Sequence, residues 1–200
     1  MSLPPENPAT TAVGTSAVQP EFSREDRILL LRLAHQAIDA AVNRCELTLF
    51  PMPAHLAQAR GAFTTLYLDG ELRGCVGYVL PVVPLYRTVA ESARAAALDD
   101  VRFSPVTPAE APRLEVVLNI LSPLRPITPE QVEIGRHGLV VTLEMRRGLL
   151  LPQVPVEHGW DRETYLCQTC RKAGLPSDAW QQGAVLEAFT AEIFGDRDLV

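Results

Sequence analysis

The chain reads as an α+β fold, a mainly antiparallel sheet flanked by helices with a second, smaller subdomain beside it. Three observations predict this. Segments of helical spacing and of period-two alternation follow in the order helix, hairpin, helix, strand, hairpin, helix, strand, without the regular strand-helix-strand repeat of a parallel sheet. Two of the strand pairs are closed by short turns, which only antiparallel neighbours allow. The 200 residues, 47% hydrophobic and 21% charged, are enough for one domain or two closely packed subdomains with a buried core.

Residues 1–22, rich in Pro, Ala, Thr and Ser, carry no periodic apolar pattern and are expected to form a disordered N-terminal tail; residues 23–196 are the folded domain. Ser23 with Asp26 forms a capping box, and Ile28, Leu31, Ala34, Ile38 and Val42 recur at helical spacing, predicting a helix over residues 24–44. His35 within it and Cys45 at its end are read as structural. Pro51 and Pro53 break the next segment. Gly61 to Tyr78 is then the clearest hairpin, turning at Asp69-Gly70, a pair that suits a type I′ turn.

Counting outward from that turn, Leu68 opposes Glu71, Leu66 opposes Arg73, Thr64 opposes Cys75 and Ala62 opposes Gly77. The other face, with Phe63, Thr65, Tyr67, Leu72, Gly74, Val76 and Tyr78, is bulkier and is assigned to the core. Arg73 and Cys75 therefore project together from the outer face.

Pro84 opens a second helix that runs to about Leu98, and its alanines predict close packing on a sheet or helix. The turn Asp100-Val101-Arg102-Phe103-Ser104-Pro105 follows. Leu114 to Leu121 alternates as a strand and stops at Pro123; residues 139–144 and 148–151 form a second hairpin behind His137-Gly138. A helix over residues 161–173 ends at Gly174, Leu175 and Pro176, a Schellman-type stop. Residues 185–194 alternate as one last strand.

Chemistry concentrates at the first hairpin. A guanidinium two residues from a thiol favours the thiolate, the form that attacks electrophiles. Gly74 and Gly77 bracket Cys75, and glycine inside a strand marks a bulge or a close approach. The competing reading makes Cys75 a small packed hydrophobe and Arg73 a solvated charge. His137 beside a glycine has the type expected of an acid-base group, and reads equally well as a surface residue. The Cys167-Gln168-Thr169-Cys170 pair lacks a second ligand pair for zinc and sits inside a helix rather than opening one, so no metal site is expected.

No Walker loop, dinucleotide fingerprint or HExxH motif is present, which argues against ATP hydrolysis, hydride transfer and zincin chemistry. A net charge of -6 argues against general nucleic-acid binding. With no apolar run of membrane length and no secretory leader pattern, a soluble cytoplasmic protein with reduced thiols is expected.

Six motifs carry a family resemblance. Leu72-Arg73-Gly74-Cys75-Val76-Gly77 resembles the LRGCIG signature of the AMMECR domain, known in prokaryotes as AmmeMemoRadiSam system protein A. Asp100-x-Arg102-Phe103-x-Pro105, His137-Gly138-Leu139, Gly148 to Val154, Gly159-Trp160-Asp161 and Cys170-x-Lys172-Ala173-Gly174-Leu175 resemble its further blocks, in order. The resemblance spans residues 23–194. Val76 replaces an isoleucine, and Asn119 stands where the family tends to have a serine.

The resemblance implies the same α+β fold in two subdomains, and partners in a Memo-like protein and a radical S-adenosylmethionine enzyme. Joined to the residues, it yields an enzyme or enzyme-system component with Cys75 as nucleophile or acid-base group in a cleft between subdomains and Arg73 beside it. His137, Glu157 and His158 are the candidates for proton transfer; Gly74, Gly77, Asp100, Arg102 and Gln153 are the candidate ligand contacts. The substrate would be a nucleotide, a modified RNA base or another small molecule, with no cofactor implied. The alternative is a non-catalytic ligand-binding or adaptor protein that docks those two partners.

Overall fold

The structure, a computed structural model, describes residues 21–199. The expected tail lies outside them except at its last two residues, and there it is corrected: Phe22 is buried in the core against Phe194, so the fold begins by Glu21. What fixes Phe22 is the apolar surface it covers, which composition alone does not display.

Helix α1 (Arg24–Val42) starts at the predicted capping box, with Ser23 and Asp26 exchanging side-chain and backbone bonds. Strands β1 (Ala62–Leu68) and β2 (Glu71–Tyr78) form the hairpin, with Asp69 and Gly70 both at positive φ as a type I′ turn demands. Helix α2 (Leu85–Leu98), β3 (Leu114–Leu121) and the two-residue β4 (Arg125–Pro126) come next. Then follow β5 (Gly138–Leu143), β6 (Arg146–Leu150), the one-turn helix α3 (Gln153–Glu157), α4 (Arg162–Lys172), β7 (Val185–Phe189) and β8 (Ala191–Gly195). The strands make two four-stranded antiparallel sheets, β2-β1-β3-β8 and β4-β7-β5-β6, and the α+β class stands.

The first sheet is covered on one face by α1 and α2, around a core that includes Leu30, Leu33, Leu66, Val89, Leu118 and Phe194. The second sheet packs on α4 through Leu139, Val141, Tyr165, Leu166 and Cys170. That helix ends as read, with Leu175 N–H bonded to the Cys170 carbonyl and Gly174 N–H to that of Arg171. A third, small cluster of Leu121, Val140 and Phe189, flanked by Phe63, joins the two halves.

Two strand readings are corrected. The alternation over residues 185–194 is not one strand: Thr190 interrupts it, and β7 and β8 belong to different sheets. Thr190 holds the crossing by accepting the N–H of Ser122 and donating its own N–H to Ser122 Oγ. Because each strand buries one face in its own sheet, the period of two runs through the crossing unbroken.

In the first hairpin the assigned faces hold on β2, where Gly74 and Val76 turn inward and Cys75 outward, and are reversed on β1. A bulge at Leu66/Tyr67, opposite Arg73, shifts the register by one, so that Thr65 pairs with Cys75, Leu66 with Gly74 and Thr64 with Val76. Ala62, Thr64 and Leu66 are buried; Phe63, Thr65 and Tyr67 are half-buried. The reason is α2. Its alanines bring its backbone onto the ribbon so closely that a Cβ at Gly74 would stand 2.1 Å from the Ala96 carbonyl oxygen, and Thr64 Oγ1 meets Ser92 Oγ at 2.7 Å. A flush contact selects the small residues, not the bulky ones.

Replacing Gly74 by Ala is therefore expected to destabilise the fold by about 2–3 kcal/mol, since the clash is with backbone that can yield only by moving α2. Urea unfolding of the two proteins measures it; an unchanged midpoint at equal slope would show that α2 does not sit flush.

Candidate functional site

Cys75 lies on β2, at an edge of its sheet, on the face turned away from α1 and α2. Its backbone faces the free edge, and the turn after α2 closes on it there. Cys75 N–H donates to Asp100 Oδ2 at 2.8 Å, and the Cys75 carbonyl accepts from Arg102 Nη2 at 3.4 Å. Asp100 also takes Arg102 Nη2 at 2.7 Å and Nε at 2.9 Å, a bidentate pair that orients the guanidinium. Helix α2 delivers these groups, because its last residue precedes Asp100 by only two positions.

The side chains continue the same order. The Cys75 Sγ accepts from Thr65 Oγ1 at 3.3 Å across the strand pair. Arg102 is half-exposed, and its pKa is raised, first by Asp100 and in smaller part by Cys75. Asp100 is buried, and its carboxyl is held well below the usual range by the Arg102 side chain, against desolvation and with the help of the Cys75 and Arg102 N–H groups.

Arg73 is placed differently from the sequence expectation. Its guanidinium donates to both carboxylate oxygens of Glu110, at 3.1 and 3.2 Å, and to the carbonyls of Ser104 and Pro105. It ties β2 to the loop after α2. No hydrogen bond joins it to the thiol among the described residues, and the cation bonded to the Cys75 backbone is Arg102. Gly74 and Gly77 likewise serve packing: Gly74 admits α2, and Phe63 lies where a Cβ of Gly77 would be.

The proposed proton-transfer residues stand elsewhere. His137 lines a cleft of about 380 Å³ with Arg125, Arg136, Ser122 and Thr190; its Nδ1 accepts the Glu133 N–H, and burial lowers its pKa. Gln153 and Glu157 line a cleft of about 250 Å³ against Ala191 and Ile193 on β8. That strand is at the other edge of the first sheet, three strand spacings or about 14 Å from Cys75. His158 is exposed and stacks on Trp160 with ring centres 4.7 Å apart. The structure thus gathers Cys75, Asp100 and Arg102, and separates them from Gln153, Glu157 and the β8 cleft.

Sequence reasoning missed Thr65 and Glu110. The glycine at position 74 signalled the bulge that puts Thr65 beside Cys75; nothing local pairs Arg73 with a residue 37 positions away. Asn119, on the same outer face, keeps Oδ1 buried with no hydrogen-bond partner among the described residues. No three His, Cys, Asp or Glu side chains converge as metal ligands among the described residues. Cys170 is buried, and burial pushes its thiol up.

With this geometry in place, comparison with known proteins is informative. The AMMECR1 family profile matches residues 31–194. A protein of Thermococcus gammatolerans is 42% identical over 82% of this chain and 87% of its own, and one of Methanothermobacter thermautotrophicus is 40% identical over 86% and 95%. The crystal structure of the uncharacterized protein PH0010 from Pyrococcus horikoshii superposes with a TM-score of 0.68 at 39% identity, covering 83% of this chain and 89% of that one. The chain belongs to the AMMECR1 family. No helix among the described residues is long and apolar enough to cross a membrane.

The Arg73 pair predicts an acid dependence. Arg73 first, with the Thr107 N–H, holds the Glu110 carboxyl down to about 2. A carboxyl depressed in the fold stabilises fully above its unfolded value, near 4.3, and loses that contribution as pH falls toward 2. Glu110→Gln is expected to lower stability at pH 7 by about 1–3 kcal/mol and to flatten the acid limb between pH 4.5 and 2. Melting temperatures across that range test it; parallel curves for the two proteins would dismiss the pair.

Proposed function

We propose that this AMMECR1-family chain binds an anionic small molecule on the open face beside Cys75, as an enzyme or a component of an enzyme system, with Sγ as the reacting atom and Arg102 as the anion contact. One observation carries the reading: Asp100 and Arg102 hold both backbone groups of Cys75, so the half-buried thiol and the half-exposed guanidinium are fixed side by side. A carboxylate or phosphate, as on a nucleotide, would meet the guanidinium as its electrophilic atom meets the sulfur.

The chemistry asked of the protein is narrow. Sγ forms a bond to the electrophilic carbon, the leaving group departs with the bonding pair, and the thiol proton passes to the ligand or to water. No His, Asp or Glu side chain hydrogen-bonds Sγ among the described residues, so the base is not supplied there. That same observation favours the second reading, a non-catalytic ligand or adaptor site. Association with a Memo-like protein and a radical S-adenosylmethionine enzyme belongs to this proposal on the strength of the sequence resemblance.

Alkylation separates these roles. Iodoacetate carries the negative charge that Arg102 would attract and iodoacetamide does not. The ratio of their rates at Cys75 is expected to fall about three- to tenfold in Arg102→Ala and to recover in Arg102→Lys, as the loss and return of one neighbouring charge predicts. Cys45, which is exposed, serves as the internal standard by peptide mass spectrometry. A ratio that ignores Arg102 would end the anion-contact reading, and a Cys75→Ser protein that retains ligand binding would favour the adaptor.

A further inference from the structure

The junction of the two sheets carries an independent feature. The cleft of about 380 Å³ that holds His137 runs into a groove of about 630 Å³ beside β8, the two sharing Glu21, Ser122, Arg136 and Thr190. The ions around them are paired: Glu21 with Arg60, Glu192 with Arg27 and Glu133 with Arg136. Arg125 is the cation left over. No carboxylate pairs with it and no hydrogen bond takes its guanidinium among the described residues. The smaller cleft therefore keeps an excess of positive charge, although the chain as a whole is negative.

The donors that line it are held in place. Arg125 stands on β4 between Pro123 and Pro126, and its backbone pairs with Ala188 of β7, so the side chain springs from a fixed point. The His137 backbone is bonded at both groups, its N–H donating to the Glu133 carbonyl and its carbonyl accepting from the Tyr165 hydroxyl. Its ring Nδ1 accepts the Glu133 N–H at 3.1 Å, which places the proton of the neutral ring on Nε2. That Nε2–H has no partner among the described residues, on a ring that is half-buried. Ser122 Oγ accepts the Thr190 N–H and donates to the Pro123 carbonyl at 3.3 Å, longer than a hydroxyl bond ordinarily is. Arg136 meets Glu133 through Nη1 alone, which leaves its Nε and Nη2 to donate elsewhere.

Donors without acceptors define the partner. An imidazole N–H, a hydroxyl and two guanidinium groups on one cleft, with every nearby carboxylate already paired, suit a ligand that is negative and accepts from several directions. A phosphate group has three terminal oxygens for them where a carboxylate has two. The groove beyond is different in kind. Ile120, Ala191 and Ile193 border it and its charges are matched, so it suits the uncharged body of such a ligand rather than a second anionic group. Both volumes fall in the range of small-molecule sites.

We propose that the cleft lined by Arg125, Arg136, His137 and Ser122 binds the phosphate group of a small phosphate monoester, whose body lies along β8 in the adjoining groove. This site is distinct from the Cys75 face and does not depend on its reading. In it His137 is a hydrogen-bond donor to the ligand, a task for which a neutral ring held by its own Nδ1 is sufficient.

NMR of the full-length protein at about pH 7.5 tests the assignment, with inorganic phosphate and phenyl phosphate as probes; burial lowers the His137 pKa, so the ring is neutral there. Before any addition the ring nitrogens are expected to report the proton on Nε2, and a proton on Nδ1 would overturn the donor assignment. Inorganic phosphate is expected to shift the His137 ring saturably, with half-saturation raised about tenfold in Arg125→Ala by the loss of one charge-assisted contact. Arg125 is exposed, so its replacement leaves the fold intact. Phenyl phosphate is expected to bind about three- to tenfold more tightly and to move the amides of Ala191 and Ile193 as well. The ring of His158, which is exposed, reports general salt effects. Shifts that sodium chloride reproduces at equal ionic strength overturn the proposal, as does a half-saturation that ignores Arg125. Shifts confined to the Cys75 and Arg102 amides overturn it too, by placing the anion on the other face, and equal affinity for the two probes with Ala191 and Ile193 unmoved overturns the monoester.

Discussion

Everything at the Cys75 face depends on how closely α2 lies on the first hairpin. Where Gly74 meets the Ala96 carbonyl there is no room for a side chain, and that contact decides which face of the ribbon is inside. With Thr64, Leu66 and Gly74 turned inward, Thr65 and Cys75 must turn outward. The same helix then ends at Leu98, so the turn that follows falls along the β2 edge and Asp100 meets the Cys75 N–H. Packing, strand register and the geometry of the thiol are one chain of consequences.

Electrostatics completes what packing begins. Two arginines flank the site, and their roles follow from their partners rather than from their distance in sequence. Arg73 is spent on Glu110 and two carbonyls, a tie that holds the loop in place. Arg102 keeps one side of its guanidinium on Asp100 while about half of its side chain stays in solvent. A buried carboxylate that fixes a half-exposed cation is a way to present charge without leaving it free to wander.

The elements were legible in the sequence where local chemistry determines them. The capping box at Ser23, the Asp69-Gly70 turn and the Gly174 stop each belong to a few adjacent residues, and each is found as read. The site was legible only in part. Cys75, Asp100 and Arg102 come together, but bulk proved a poor guide to burial in the hairpin, because the alanine-rich helix prefers small neighbours. Non-local facts were hidden: the Glu110 partner of Arg73, and the crossing at Thr190, where an unbroken alternation conceals a change of sheet. The distance from Cys75 to the β8 cleft is likewise a product of strand order, which no single segment encodes.

The crossing at Thr190 has a mechanical meaning. The second sheet and its helix form an insertion between β3 and β8, entered after Leu121 and left at Phe189. Its two links run side by side and are bonded to each other through Ser122 and Thr190. Two short links clasped together transmit tension and resist shear, while the Leu121, Val140 and Phe189 cluster blocks separation. The groove beside β8 lies at that same junction, lined by Ser122 and Thr190 of the clasp together with Ala191 and Ile193.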